Sequence, residues 1–224
     1  MMPYYDQDGV TIYHGDCREV LPSLGITETI ITDPVWPNAK AKLAGSDRPY
    51  ALFAEVARLI DCDRLIIQLG CDSDPRILST VPDDLPFFRA CWLKYTCPTR
   101  KGRVLYSGDI AYAFGKPPKS APGRRVIAGE CSSARGDSIR ARLRPHREFG
   151  RPVNGEHPCP RRLEHVQWLI AKFAEGTVLD PFCGSGTTLV AAKAGGFKAV
   201  GIEIEEKFCE MAVKRLAQRS LQFV

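Results

Sequence analysis

The sequence predicts an α/β fold built on one sheet, and three observations carry that prediction. Short apolar runs alternate with segments of helical periodicity along most of the 224 residues. A Gly-rich turn joins one such run to a helix of small residues near position 185. Hydrophobic residues make up 44% and charged residues 25%, the balance of a chain that buries a core and is not disordered. At this length the chain is one domain carrying a modest insertion. No internal repeat of useful length interrupts it.

Taken in order, the apolar runs at 29–32, 64–69, 90–95, 109–114, 177–179 and 199–204 read as buried strands. Leu52, Val56, Leu59 and Ile60 form one helical stripe; Leu163, Val166, Leu169, Ile170 and Phe173 form a second. Phe208, Met211, Ala212 and Leu216 form a third, and a further helix is expected from Thr187 to Ala194. Nine cysteines are scattered without a CxxC pair or zinc-finger spacing, which points to free thiols in a reducing cytoplasm. A zinc site from Cys131, His146, His157 and Cys159 has irregular spacing and is set aside, so no metal is expected. Residues 1–9 lack a basic-then-apolar pattern, which argues against a signal peptide, and no run reaches membrane-spanning length.

One region breaks the rhythm. Residues 116–162 are rich in Arg, Pro and Gly and hold twelve Lys and Arg against four Asp and Glu, a local +8. The whole chain is +5, so the remainder is −3. A solvated surface loop is the plain reading of a charge run. Concentration of the positive charge in a single appendage of an ordered sheet protein favours contact with phosphates.

The segment Val178-Leu179-Asp180-Pro181-Phe182-Cys183-Gly184-Ser185-Gly186-Thr187-Thr188 is a strand, a Gly-rich turn and a helix start. Glycines permit tight turning and close backbone approach, and the helix N-terminus offers free N–H groups. Glu203, about 20 residues on and at the end of the next strand, is placed to bind ribose hydroxyls. No Gly-Lys-Thr/Ser follows, so this is not a phosphate loop, and Leu189 stands where a dinucleotide fingerprint has its third glycine. These features point to a nucleoside-containing cofactor.

The run from Asp180 to Thr188 resembles the S-adenosylmethionine loop of DNA amino-methyltransferases, which act on adenine N6 or cytosine N4. The resemblance implies cofactor contacts from Asp180, Phe182, Gly184, Gly186, Thr187, Thr188 and Glu203. His157-Pro158-Cys159-Pro160-Arg161-Arg162 resembles the family's His-Pro-x-x-Lys-Pro segment near the methionine end of the cofactor, which implicates His157. Arg161 stands there for Lys and Arg162 for Pro. Gly15-Asp16 resembles a segment whose acid approaches the cofactor adenine; Asp16 also reads as a helix N-cap with Glu19 at the capping-box position.

Ile30-Ile31-Thr32-Asp33-Pro34-Val35-Trp36-Pro37 resembles the family's Asp-Pro-Pro-Tyr catalytic motif, with Val35 for the second proline and Trp36 for the aromatic. An exocyclic amine is a poor nucleophile because its lone pair is delocalised into the ring. Two acceptors on its N–H groups, the Asp33 carboxylate and the Pro34 carbonyl, favour a pyramidal nitrogen aimed at the methyl group. Trp36 would stack on a base flipped out of the duplex. A strand-end Asp-Pro is more often a structural turn, and the cofactor loop is what tilts the reading toward catalysis. A motif beginning with Asp, where cytosine N4 enzymes usually carry Ser, favours adenine.

The resemblance thus implies a Rossmann-like seven-stranded sheet, mostly parallel with one antiparallel strand, over residues 1–224, in the family's permuted motif order. Residues 116–156 become a target-recognition insertion on double-stranded DNA, with Arg124, Arg125, Arg135, Arg140, Arg142, Arg144 and Arg147 as contacts. A homodimer and a cognate restriction endonuclease are further candidate partners, and the host is prokaryotic or a phage. The alternatives are an N4-cytosine DNA methyltransferase, a catalytically inactive DNA-binding module that keeps the fold, a C5-cytosine enzyme using Cys159, and an NAD-dependent dehydrogenase. Cys159 lacks the sequence expected after a C5 nucleophile, and the dehydrogenase lacks its third glycine.

Overall fold

A computed structural model describes residues 2–25, 27–36, 43–121, 127, 129–131 and 161–218. The strands among them are β1 (Tyr5–Gln7), β2 (Val10–His14), β3 (Thr27–Thr32), β4 (Cys62–Gly70), β5 (Phe87–Lys101), β6 (Val104–Gly115), β7 (Glu130–Cys131), β8 (Val178–Asp180) and β9 (Ala199–Glu203). The helices are α1 (Cys17–Val20), α2 (Pro49–Ala57), α3 (Leu163–Phe173), α4 (Thr187–Ala194) and α5 (Glu206–Ala217), with 3₁₀ turns at Leu21–Ser23 and Pro75–Thr80. All the strands join one sheet in the order β1-β2-β9-β8-β3-β4-β6-β5-β7.

From β2 to β5 this is the expected seven-stranded arrangement, with β6 alone antiparallel to its neighbours. The sheet is nine strands wide because β1 and β7, of three and two residues, extend its edges. Strands that short leave no periodicity to read. β2 was also unforeseen: its five residues alternate between buried and part-exposed positions and contain no continuous apolar run.

Alternating side chains of the central strands feed two cores. Ile31 and Ile66 face the side covered by α3, α4 and α5, where Leu169, Phe173, Leu189 and Leu216 pack. Ile30, Leu65 and Ile67 face the opposite side, covered by α1, α2 and the 3₁₀ turns through Val20, Phe53, Val56 and Ile77. Burial on both faces explains the apolar run Leu65–Ile67 at the centre of β4 and the continuous burial from Arg64 to Leu69. The helix stripes hold in part: α2 ends at Ala57, so Leu59 and Ile60 lie beyond it, with Leu59 at 38% exposure, and Met211 of α5 is not among the buried residues. Cys17, Cys62, Cys71, Cys91, Cys131, Cys183 and Cys209 are unpaired thiols. No described helix is long and apolar enough to cross a membrane.

Two features position the site. β8 leads through α4 to β9 on one side while β3 leads to β4 on the other, so the strand order reverses between the parallel neighbours β8 and β3. Such a switch point opens a crevice at the carboxyl ends of the strands. On the same side β4 stops at Gly70, opposite Asp109, while β5 and β6 run on. Residues 104–108 therefore overhang the sheet edge by roughly 15 Å. The hairpin carries exposed Arg100 and Arg103, and Val104 and Leu105 are each more than half exposed. Most of the basic segment, including Arg124, Arg125, Arg135, Arg140, Arg142, Arg144 and Arg147, lies outside the described residues, as does His157.

Candidate active site

The crevice is a cavity of about 260 Å³. It brings Asp16, Asp33, Pro34, Trp36, Asp180, Phe182, Gly184, Thr187, Thr188 and Glu203 to one lining, although they come from widely separated stretches of the chain. Of the candidates within the described residues, Gly186 is the one not on that lining.

The Gly-rich loop is built by backbone necessity. Asp180 ends β8 almost fully buried and accepts from the Thr32 hydroxyl at 2.8 Å and the Phe182 amide at 3.1 Å. Its carboxylate thereby ties β8 to β3, and burial pushes its pKa up to about 6 against those hydrogen bonds. The turn closes through a Gly186 N–H to Cys183 carbonyl bond of 2.8 Å. Gly186 is the α4 N-cap in the left-handed region, with φ of 78°. A Cβ there would stand 2.7 Å from the Ala212 Cβ of α5. Gly186 is thus required for the turn and for packing on α5. Gly186→Ala is expected to destabilise the protein by about 1–3 kcal/mol, read as a lowered urea midpoint.

Gly201 of β9, which sequence reasoning missed, meets the loop from below: a Cβ would come within 2.8 Å of Cys183 Sγ. Arg215 of α5 was also missed. Its Nη1 donates to the Ser185 carbonyl at 2.7 Å, the Ser185 hydroxyl at 3.0 Å and the Thr187 hydroxyl at 3.0 Å. One guanidinium therefore staples the loop to α5.

Glu203 ends β9 and is nearly buried. Its Oε2 accepts the Gly184 amide at 2.9 Å and its Oε1 the Glu205 amide at 2.8 Å. Both oxygens are held by backbone donors and keep lone pairs for hydroxyls of a ligand. Burial raises its pKa while the N–H bonds oppose the rise. Asp16 caps α1, accepting the Arg18 amide at 2.9 Å, and its carboxylate also pairs with the Arg18 side chain at 2.5 Å. The cap was expected; the ion pair was not.

On the other wall, β3 delivers Asp33, Pro34 and Trp36. Arg161, just before α3, donates to both Asp33 oxygens, Nε to Oδ2 and Nη2 to Oδ1, each at 2.6 Å. Its guanidinium carbon lies 4.4 Å from the Trp36 ring centroid, and its Nη1 is 3.2 Å from Asp109 Oδ2. Asp109, almost fully buried on β6, also accepts the Tyr95 hydroxyl at 2.5 Å and Gln68 Nε2 at 3.1 Å. Burial opposes the charge on Arg161, but Asp33, Asp109 and Tyr95 outweigh it and hold the guanidinium ionised. Burial pushes the Asp33 carboxyl up, the Arg161 charge pulls it down, and the nearby Asp109 and Asp180 add to the rise. Arg162 lies over the Tyr95 ring at 4.1 Å. The sequence set Arg161 beside the cofactor's methionine end, whereas its side chain reaches the catalytic candidate. Its replacement of a family lysine was the one available signal.

A DNA methylase family model, covering N6 and N4 enzymes, matches residues 126–214. This stretch holds the cofactor loop and Glu203; Asp33 precedes it. The putative methylase YubD of Escherichia coli (strain K12) is 41% identical over 73 residues, 31% of this chain and 32% of that protein. The match thus spans about a third of that relative's length. Among solved structures, an M1.HpyAVI–SAM complex superposes with a TM-score of 0.65 at 20% identity, covering 93% of this chain and 99% of that one. The cytosine-N4-specific PvuII DNA methyltransferase superposes with a TM-score of 0.68 at 18% identity, covering 98% and 90%. At such identities the superpositions establish the fold, that of the Rossmann-like DNA methyltransferases. The similarity to the S-adenosylmethionine-dependent DNA amino-methyltransferases is thus carried by residues 126–214 and by the fold.

Proposed function

We propose that this protein transfers a methyl group from S-adenosylmethionine to an exocyclic amine of a flipped base in double-stranded DNA, with adenine N6 as the target. The observation that carries the reading is the single cavity between the Asp33–Trp36 wall and the Gly184–Glu203 wall. The residues present fit the cofactor. Glu203 offers anchored carboxylate oxygens for a ribose, Asp16 lies on the same lining for the adenine end, and Gly184 opens the turn toward it. The cofactor supplies an electrophilic methyl group on a sulfonium sulfur. Asp33 and the Pro34 carbonyl accept the N–H groups of the target amine and Trp36 stacks on its ring; as the N–C bond forms, the sulfonium S–C bond would break to leave a neutral thioether, and one proton would pass from the nitrogen to the Asp33 carboxylate. Adenine is favoured because Asp, and not Ser, opens the motif.

The seven arginines of the basic segment, with Arg100 and Arg103 on the overhanging hairpin, are proposed as phosphate contacts. The test is transfer of label from tritiated S-adenosylmethionine to unmethylated DNA, followed by digestion and mass identification of the nucleoside. N6-methyladenine is expected. N4-methylcytosine would overturn the choice of base, and unlabelled DNA would overturn the function.

The acceptor role requires an ionised Asp33. With its pKa raised by burial, kcat/KM is expected to rise with pH on a limb displaced above the ordinary carboxylate range near 4. A profile flat from pH 5 to 8 would remove Asp33 ionisation from the rate.

A further inference from the structure

We propose that Arg161 is a removable placeholder for the target base: it fills the base's seat in the empty enzyme and swings to Asp109 when the base enters. The inference rests on the methyltransferase reading above and assigns Arg161 a gating task within it.

Three observations converge on Arg161. The acceptors proposed for the amine N–H groups include the Asp33 oxygens, and the guanidinium already uses both in parallel bonds of 2.6 Å. The surface proposed for the base is Trp36, and the guanidinium lies over that ring at 4.4 Å. The guanidinium presents in-plane N–H donors, as an exocyclic amine does, so the Asp33 carboxylate suits either occupant. Arg161 and the base therefore cannot hold Asp33 and Trp36 together.

Displacement needs somewhere for a buried charge to go, because an unpaired guanidinium is costly there. Asp109 supplies that seat. It lies 3.2 Å from Nη1 on the side away from the Asp33 contacts, and Tyr95 and Gln68 already hold its carboxylate in place. Arg161 would exchange a two-carboxylate arrangement for a closer pairing with Asp109. Asp33 is then released to the amine without a change in the net charge of the site.

A placeholder reduces the apparent affinity for the base by the fraction of time the seat is filled. The test uses the full chain, tritiated S-adenosylmethionine and unmethylated plasmid DNA. Arg161→Gln, Asp109→Asn and the double variant are compared, with cofactor titration confirming that each is folded. Arg161→Gln is expected to lower KM for DNA by roughly three- to tenfold. Asp109→Asn is expected to raise it by a similar factor, since Arg161 then stays on Asp33. In the Arg161→Gln background that Asp109→Asn penalty disappears, a coupling that a purely structural Asp109 does not produce. A KM unchanged or raised by Arg161→Gln overturns the placeholder, as does an Asp109→Asn penalty that persists in the double variant. If Asp109→Asn fails to fold, the Arg161→Gln arm decides alone. A wild-type protein that labels no DNA sinks the methyltransferase reading together with the placeholder, whereas labelling with the wrong KM pattern sinks only the placeholder.

Discussion

Asp33→Ala is expected to reduce methyl transfer to DNA by roughly 10²–10⁴-fold while S-adenosylmethionine still binds. The size follows from the chemistry: the amine loses the carboxylate acceptor that orients its lone pair, and only the Pro34 carbonyl remains. Cofactor affinity should change little, because the anchored acceptors of Glu203 lie on the opposite wall. The variant also removes one partner of Arg161, but Asp109 remains 3.2 Å away to hold the charge, so folding is expected to survive. Asp33→Asn is the companion variant. It keeps the shape and one acceptor oxygen but turns an N–H pair toward Arg161, and it should fall between the wild type and Asp33→Ala. Initial rates with tritiated cofactor, beside calorimetric cofactor titrations, separate the two effects. Transfer within tenfold of the wild type by Asp33→Ala would remove Asp33 from the chemistry.

The second large effect is expected at Glu203. Glu203→Ala removes both carboxylate oxygens proposed to receive ribose hydroxyls and leaves the Gly184 and Glu205 amides without those acceptors. Charge-assisted hydrogen bonds contribute about 1.5–3 kcal/mol each, so loss of two should lower cofactor affinity by roughly 10²–10⁴-fold. Glu203→Gln keeps one oxygen as an acceptor and is expected to lose about tenfold. DNA binding measured without cofactor should be unaffected by either change, because no DNA contact is proposed for Glu203. Cofactor binding within threefold of the wild type by Glu203→Ala would show that the acid serves only the Gly184 turn.

These two residues were legible in the sequence because each ends a strand recognisable from its own neighbours. Ile30 and Ile31 announce the strand before Asp33, and 199–202 the strand before Glu203. The loop from Asp180 to Thr188 was legible for a similar reason: glycine at a left-handed position and a small-residue helix start are local requirements. Helices α3 and α4 were readable from periodicity and composition alone, and their bounds agree with the expected residues. Short edge strands were not, since β7 is two residues held by its pairing with β5.

The sequence by itself determined the fold class, the Gly-rich turn after β8, and the strand ends that carry Asp33 and Glu203, because turn chemistry and apolar spacing act over a few residues. Only the tertiary structure decided what those groups touch. Arg161 meets Asp33 across 128 positions of chain, and Arg215 reaches the glycine turn from the far end of α5. Neither contact leaves a local pattern. Each depends on how the sheet places separate elements, and a buried charge takes the partner that geometry brings within reach.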